Sequence, residues 1–378
     1  MKVKNKELKI VFFAVMILFA IFLMAPIIML LVKSVWKDGF SFEFYASVIG
    51  QNGFFTALKN SFQIAAASAV TATVLAFIIA YGVHYTSLPK WFKSCISFIA
   101  TLPMFLPTIT YGFAIIYSFG KQGLLTRLLG RQLFDIYGFA GLFVGYVIYT
   151  VPVAFLLIHN TMEFIDKKTL IVSKAMGDHT VSTFWIAVLR PLLGTLAGAF
   201  IQAFFLCFTD FGIPASVGGN YEVIATMLYN QMLGGIPDFN RGAVIAMVML
   251  IPSVGSICIL QILERFHIRY NRISQAELRK NAARDFGWGC SSVLISIFIV
   301  SIFAVIFVVP FVEEWPYKTG FSFEHFAEVF QDSELLSVYG HSIFMAACTA
   351  FLGTLIAYGA ALITARSSLS NGYKKAIE

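Results

Sequence analysis

The chain has 378 residues, of which 58% belong to the apolar set and only 12% are charged, with 40 Phe and a mean hydropathy of +0.80. An ordinary soluble domain carries about twice that charged fraction, so a soluble fold is excluded, and with it disorder, collagen and a basic nucleic-acid-binding surface. The net charge of +7 becomes informative only once it is mapped onto loops.

Lipid offers the backbone no hydrogen bonds, so a crossing segment must be a helix of about 20 apolar residues. Eight segments meet that requirement: Ile10 to Val32, Ser61 to Val83, Cys95 to Ser118, Tyr137 to Ile158, Pro191 to Thr209, Gly242 to Leu263, Trp288 to Val312 and Ser342 to Thr364. The first follows Lys2, Lys4, Lys6 and Lys9, is too long for a signal-peptide core and reads as a retained signal anchor. Between the third and fourth spans, Phe119 to Ile136 carries Leu124, Leu125, Leu128 and Leu129 at helical spacing, which predicts a short interfacial helix. Pro103, Pro107, Pro152, Pro191 and Pro252 fall within spans or at their ends and predict kinks.

With the N-terminus inside, the loops divide 19 Lys/Arg inside against 8 outside, and 8 Asp/Glu inside against 12 outside. The positive-inside rule therefore predicts both termini in the cytoplasm. None of the eight spans, as drawn, contains Asp, Glu, Lys or Arg. Ion-coupled carriers and voltage sensors keep such groups at membrane depth, so an ion gradient is not the expected energy source. Cys95, Cys207, Cys258, Cys290 and Cys348 sit in or beside separate spans and read as small apolar side chains. The six histidines show no ligand spacing, and no metal site is assigned. No catalytic residue is assigned either, because no convergent polar group lies within a span.

The chain repeats itself. At an offset of 281, Phe40 to Ser97 aligns with Phe321 to Glu378 without a gap, with 17 identities in 58 positions. Phe40-Ser41-Phe42-Glu43 returns as Phe321-Ser322-Phe323-Glu324, followed by Ser61/Ser342, Ala65/Ala346, Ala69/Ala350, Thr73/Thr354, Ala76/Ala357 and Ala80/Ala361. Unrelated apolar helices would share alanines but not the F-S-F-E loop. The expected organisation is a first unit over 1–265 with six spans, a basic cytoplasmic linker over 266–285, and the start of a second unit over 286–378 with two spans, incomplete by four.

The loop 160–190 reads as two short helices broken at Gly177-Asp178, with glycine at the left-handed C′ position and Asp178 as the next N-cap. Val172 and Met176 before the break, and Val181, Phe184 and Val188 after it, form apolar stripes. Such a stripe either packs on its own bundle or docks on a soluble partner. Beyond the fifth span, Asp210 opens a Gly- and Pro-rich stretch to Arg241, in which Asp210 faces a solute path or caps a turn. Glu222 and Asp238 there read as solvated charges.

Ala175-Met176, Gly177, Phe184, Leu189 and Pro191 resemble the cytoplasmic loop signature of the permeases of binding-protein-dependent ABC importers: E-A-A, three residues, Gly, then an apolar stretch ending I-x-L-P. The E-A-A positions here read Ile171-Val172-Ser173, and Pro191 lies one residue late. The stretches Phe119 to Thr126, Tyr149 to Phe155, Thr209 to Pro214 and Val217 to Tyr221 are similar to the subgroup that serves ferric iron, thiamine and 2-aminoethylphosphonate, where fused two-unit permeases are common. The resemblance implies an all-α polytopic bundle, a six-span type I permease unit plus the first two spans of a second copy. It also implies an ATPase-coupling loop carried by Val172, Lys174, Ala175, Met176, Gly177, Asp178, Val181, Phe184 and Pro191, and a substrate pathway at Thr209, Asp210, Gly212 and Pro214.

The chain has no phosphate loop, so no cofactor and no enzyme activity of its own are expected, and ATP is bound by partners. The implied partners are cytoplasmic ABC ATPase subunits, expected as a homodimer, an extracytoplasmic solute-binding protein and a further permease chain, with no nucleic acid, in a bacterial plasma membrane. The substrate wording is most similar to 2-aminoethylphosphonate permeases, with ferric iron or thiamine as the alternative and an uncoupled channel or facilitator as the reading from another class.

Overall fold

The computed structural model describes residues 6–37, 39–264 and 281–366. Its helices are α1 (Lys6–Phe19), α2 (Ala25–Val35), α3 (Glu43–Ile49), α4 (Phe54–Tyr85), α5 (Lys90–Thr101), α6 (Thr108–Phe119), α7 (Leu124–Leu129), α8 (Phe139–Phe164), α9 (Lys168–Ala175), α10 (Thr180–Phe184), α11 (Arg190–Thr209), α12 (Gly212–Val217), α13 (Ile224–Leu233), α14 (Phe239–Glu264), α15 (Ala282–Val308), α16 (Glu324–Gln331) and α17 (Ser333–Arg366). A short antiparallel hairpin, β1 (Val312–Glu314) and β2 (Lys318–Phe321), precedes α16. Most of the linker expected over 266–285 lies outside the described residues.

Among the described residues seven helices are long and apolar enough to cross a membrane, and a bent pair of helices stands where the third span is expected. That corrects the third span. Lys90–Phe105 and Thr108–Leu129 meet at 109° instead of forming one rod from Cys95 to Ser118. Pro107 removes a backbone donor and drives Leu106 into extended backbone (φ −101°, ψ 142°), which no helix tolerates. The Tyr111 hydroxyl donates to the carbonyl of Pro103, satisfying a group that the break would otherwise orphan.

The fifth span is also longer than expected, because the helix runs without interruption from Thr180 to Thr209. Pro191 is accommodated by a π turn over Trp185–Leu189 immediately before it, and Pro26 follows a similar π turn over Ala20–Met24. A widened turn supplies the room that a proline ring denies to an ordinary one. A short helix is present where the leucine spacing predicts one, as α7, with Leu128 and Leu129 exposed.

The chain divides into two compact units that cut across the repeat. One is Phe42–Val309. The other joins the chain before Phe42 to the chain after Val309. In the larger unit α4 lies at the centre, against α8 and α11, and α15 packs along α4, α5 and α6. In the smaller unit α1 packs on α17. The opening helix of each repeat copy thus sits with the long helix of the other copy. Small residues permit this: a Cβ on Gly82 of α4 would come 2.2 Å from the Ser292 hydroxyl of α15. The F-S-F-E segment takes the same backbone in both copies, with φ/ψ of −96°/13° at Phe42 and −104°/10° at Phe323, each the N-cap of a short helix that opens on Glu43 or Glu324.

Candidate functional site

The loop between α8 and α11 has the expected break. Gly177 has φ +86°, a region that L side chains avoid, and two reversed hydrogen bonds close the end of α9. Gly177 N–H donates to Lys174 O and Asp178 N–H to Ser173 O, both at 3.1 Å. The N-cap of α10 is His179, not Asp178. Asp178 turns back instead and accepts the Ser173 hydroxyl. Thr183 of α10 lies 3.1 Å from that same hydroxyl, so the buried hydroxyls of Ser173 and Thr183, with the half-buried Asp178, hold α9 and α10 together.

This arrangement separates the two apolar stripes. Val172, Met176 and Val181 point to solvent, at 55%, 79% and 80% exposure, and Lys174, Ala175 and Gly177 are exposed beside them. Phe184 and Val188 do not continue that face. Phe184 inserts between Phe77 and Tyr81 of α4 and Trp288 of α15, with ring centroids 5.7–6.3 Å apart, and Val188 is fully buried. Pro191 is half-buried in the first turn of α11. The loop is therefore anchored from inside and bare outside. A further tie comes from Lys167, which donates to the carbonyl of His84 at the end of α4 (2.8 Å) and lies over the Tyr85 ring.

Sequence spacing gave no sign of the next contact. His84 Nε2 and His159 Nδ1 lie 3.0 Å apart, joining the ends of α4 and α8 next to this loop, although 75 residues separate them. Ser173 and Thr183 were equally silent, since a buried hydroxyl pair leaves no periodic signal. No group of three metal-ligating side chains occurs among the described residues, and the five cysteines are free.

The second set of candidates is brought together as a packed turn. Asp210 ends α11 and its carboxylate accepts the Ile213 N–H at 3.0 Å, capping the first turn of α12. Burial pushes its carboxyl pKa up, while hydrogen bonds from the Ile213 amide and the Thr108 hydroxyl pull it back. Gly212 is required for space: a Cβ there would lie 2.2 Å from the Thr108 hydroxyl and 2.7 Å from the Ile109 nitrogen. Gly212 and Pro214 are buried, and Thr209 is half-buried with its hydroxyl on Phe205 O. Asp210 and Gly212 thus join the start of α12 to the start of α6 at Thr108 and Ile109. Asp238 likewise caps a helix, accepting the N–H groups of Asn240 and Arg241 at the start of α14, so it is not simply solvated.

Taken together, the helical architecture and the glycine-broken loop define the class: a polytopic all-α membrane protein with the fold of an ABC transporter permease. Solved structures show that fold. A chain of a bacterial ABC transporter involved in the import of the acidic polysaccharide alginate superposes with a TM-score of 0.55 at 15% identity, covering 67% of this chain and 93% of that one. No family model matches.

Among curated proteins, the ferric transport system permease protein FbpB of Actinobacillus pleuropneumoniae is 22% identical over 91% of this chain and 52% of its own length. A ferric transport system permease of Haemophilus influenzae is 22% identical over 91% of this chain and 57% of its own length. The spermidine/putrescine transport system permease protein PotC of Escherichia coli is 24% identical over 62% of this chain and 87% of its own length. The chain spans about half the length of the two ferric-transport relatives. The resemblance to importer permeases read from the sequence is thus matched by its relatives.

Proposed function

We propose that this chain forms part of the membrane path of a binding-protein-dependent ABC importer, and that the α9–α10 loop is where a cytoplasmic ATPase docks. The observation that carries this reading is the loop itself, which presents Val172, Met176 and Val181 to solvent and is clamped from behind by Phe184 and Lys167. A rigid knob with an apolar tip suits a groove on a soluble partner. Its short lever into α8 and α11 passes a push on the tip into the bundle. In this reading the loop lies in the cytoplasm, as the basic-residue bias predicts. An external binding protein delivers solute to the opposite face. A second permease unit, in this polypeptide or another, provides the second ATPase seat.

Ferric iron is the proposed substrate, because ferric-transport permeases match along 91% of the chain whereas the polyamine relative matches along 62%. The local wording around Phe119 and Thr209 keeps 2-aminoethylphosphonate as the competitor.

The test uses the chain expressed with candidate ATPase and binding-protein subunits from its host. Gly177→Pro, which forces φ near −65° where +86° is required, and Met176→Asp with Val181→Asp are expected to abolish ATPase co-purification while membrane insertion persists. Unchanged co-purification refutes the loop assignment. ATP-dependent uptake of labelled 2-aminoethylphosphonate without uptake of labelled iron refutes the substrate.

A further inference from the structure

The ends of α4 and α8 meet through two imidazoles. His84 Nε2 and His159 Nδ1 lie 3.0 Å apart, with the rings tilted by 49° and their centroids 4.4 Å apart. The two nitrogens therefore do not face each other along one straight line, because end to end the ring radii would add to the 3.0 Å and hold the centroids farther apart. A hydrogen bond between them is bent, and bending weakens it. Packing fixes the approach. His159 lies against the Phe155 ring one turn before it (centroids 5.0 Å apart), and the backbone of His84 is held by Lys167, which donates to its carbonyl at 2.8 Å. Both histidines are half-buried, which leaves the pair within reach of small ions.

A neutral imidazole has one nitrogen lone pair, on whichever nitrogen lacks the hydrogen. With the hydrogens on the outer nitrogens, His84 Nδ1 and His159 Nε2, two lone pairs share the gap between the rings. They repel each other unless a cation takes both. Two imidazole nitrogens bound to one Zn²⁺ at about 2.0–2.1 Å with a tetrahedral angle stand about 3.3 Å apart, so the observed 3.0 Å needs only a small opening. Calcium and magnesium favour oxygen donors, whereas imidazole suits borderline transition metals.

We infer that His84 and His159 form a two-histidine site for a borderline divalent transition-metal ion such as Zn²⁺, bound through Nε2 and Nδ1. No group of three ligating side chains includes them among the described residues, so water completes the coordination. Glu163, one helical turn beyond His159, acts on it electrostatically, and Lys167 and Lys93 act on His84. With cations beside it and two protein ligands, the site is an exchangeable one, unlike a closed four-ligand centre. The bound ion ties the end of α4 to the end of α8.

The experiment uses the full chain, purified in detergent with a tag free of histidine and with its exposed cysteines alkylated. It is titrated with Zn²⁺ against a chromophoric chelator of micromolar affinity. The chain is expected to take zinc from the chelator, and His84→Gln and His159→Gln are each expected to weaken that binding about tenfold or more, since even the outer partners of a metal ligand are worth that much. His341→Gln, which alters an exposed histidine on α17, is expected to bind like the wild type. Zinc is also expected to raise the melting temperature of the wild type and of His341→Gln, but of neither other variant. Each glutamine removes one ring only, so either variant tests the site if the other folds poorly. Wild-type zinc affinity in His84→Gln or His159→Gln, a wild-type chain that takes no zinc, or an equal loss in His341→Gln would each overturn the assignment.

Discussion

α4 and α17 are one helix written twice, and their surroundings differ completely. In α4, Ala65, Ala69, Ala76 and Ala80 have no exposed surface, in a helix that packs against α8, α11 and α15. Their counterparts Ala346, Ala350, Ala357 and Ala361 in α17 are all exposed. Ser61 is buried and accepts the Ile224 N–H at 2.8 Å, whereas Ser342 is exposed and bonds only within its own turn, to Val338 O. The same small side chains therefore act as a close-packing surface in one copy and stand exposed in the other. Small residues permit close approach, and the neighbour supplies the energy.

Three experiments bear on that contrast, and the first has the largest expected effect. Ala76→Phe forces a ring into the fully buried face of α4 and is expected to cost about 1–3 kcal/mol or more, read as a lower melting temperature of the purified chain. Ala357→Phe at the repeat-equivalent site is expected to leave the melt unchanged, and equal losses would show that α17 is buried after all. Next, Ser61→Ala leaves a buried amide without its acceptor and is expected to cost about 1–3 kcal/mol, with Ser342→Ala near zero. The smallest effect probes where the copies should agree. Glu43→Gln and Glu324→Gln each remove a negative charge from a helix N-terminus and are expected to cost about 0.3–1 kcal/mol apiece, so a clear difference between them would separate the two F-S-F-E turns.

The loop adds a second lesson, on what local pattern conveys. Gly177 was legible because a positive φ leaves few residue choices, and the break in apolar spacing marked it. The stripe Val181, Phe184, Val188 was misread as one face. Helical spacing locates residues on a cylinder, but only the packed neighbours Phe77, Tyr81 and Trp288 decide that Phe184 turns inward while Val181 stays out. Asp178 shows the same limit. Its type suited an N-cap, yet the Ser173 hydroxyl across the turn claimed its carboxylate and left that position to His179. Asp210 had two sequence readings, and the structure shows it capping α12.

By itself the sequence determined the solvent, most of the spans and the glycine break at Gly177, since each follows from forces acting over a few neighbouring residues: hydropathy, backbone sterics and helix period; the internal repeat is read from the sequence directly. The tertiary structure decided the 109° break after Leu106, the pairing of α1 with α17 and of α15 with α4, and the His84–His159 contact. Each of those depends on which surfaces meet across tens to hundreds of intervening residues, and close packing between helices settles that only once the whole bundle is assembled.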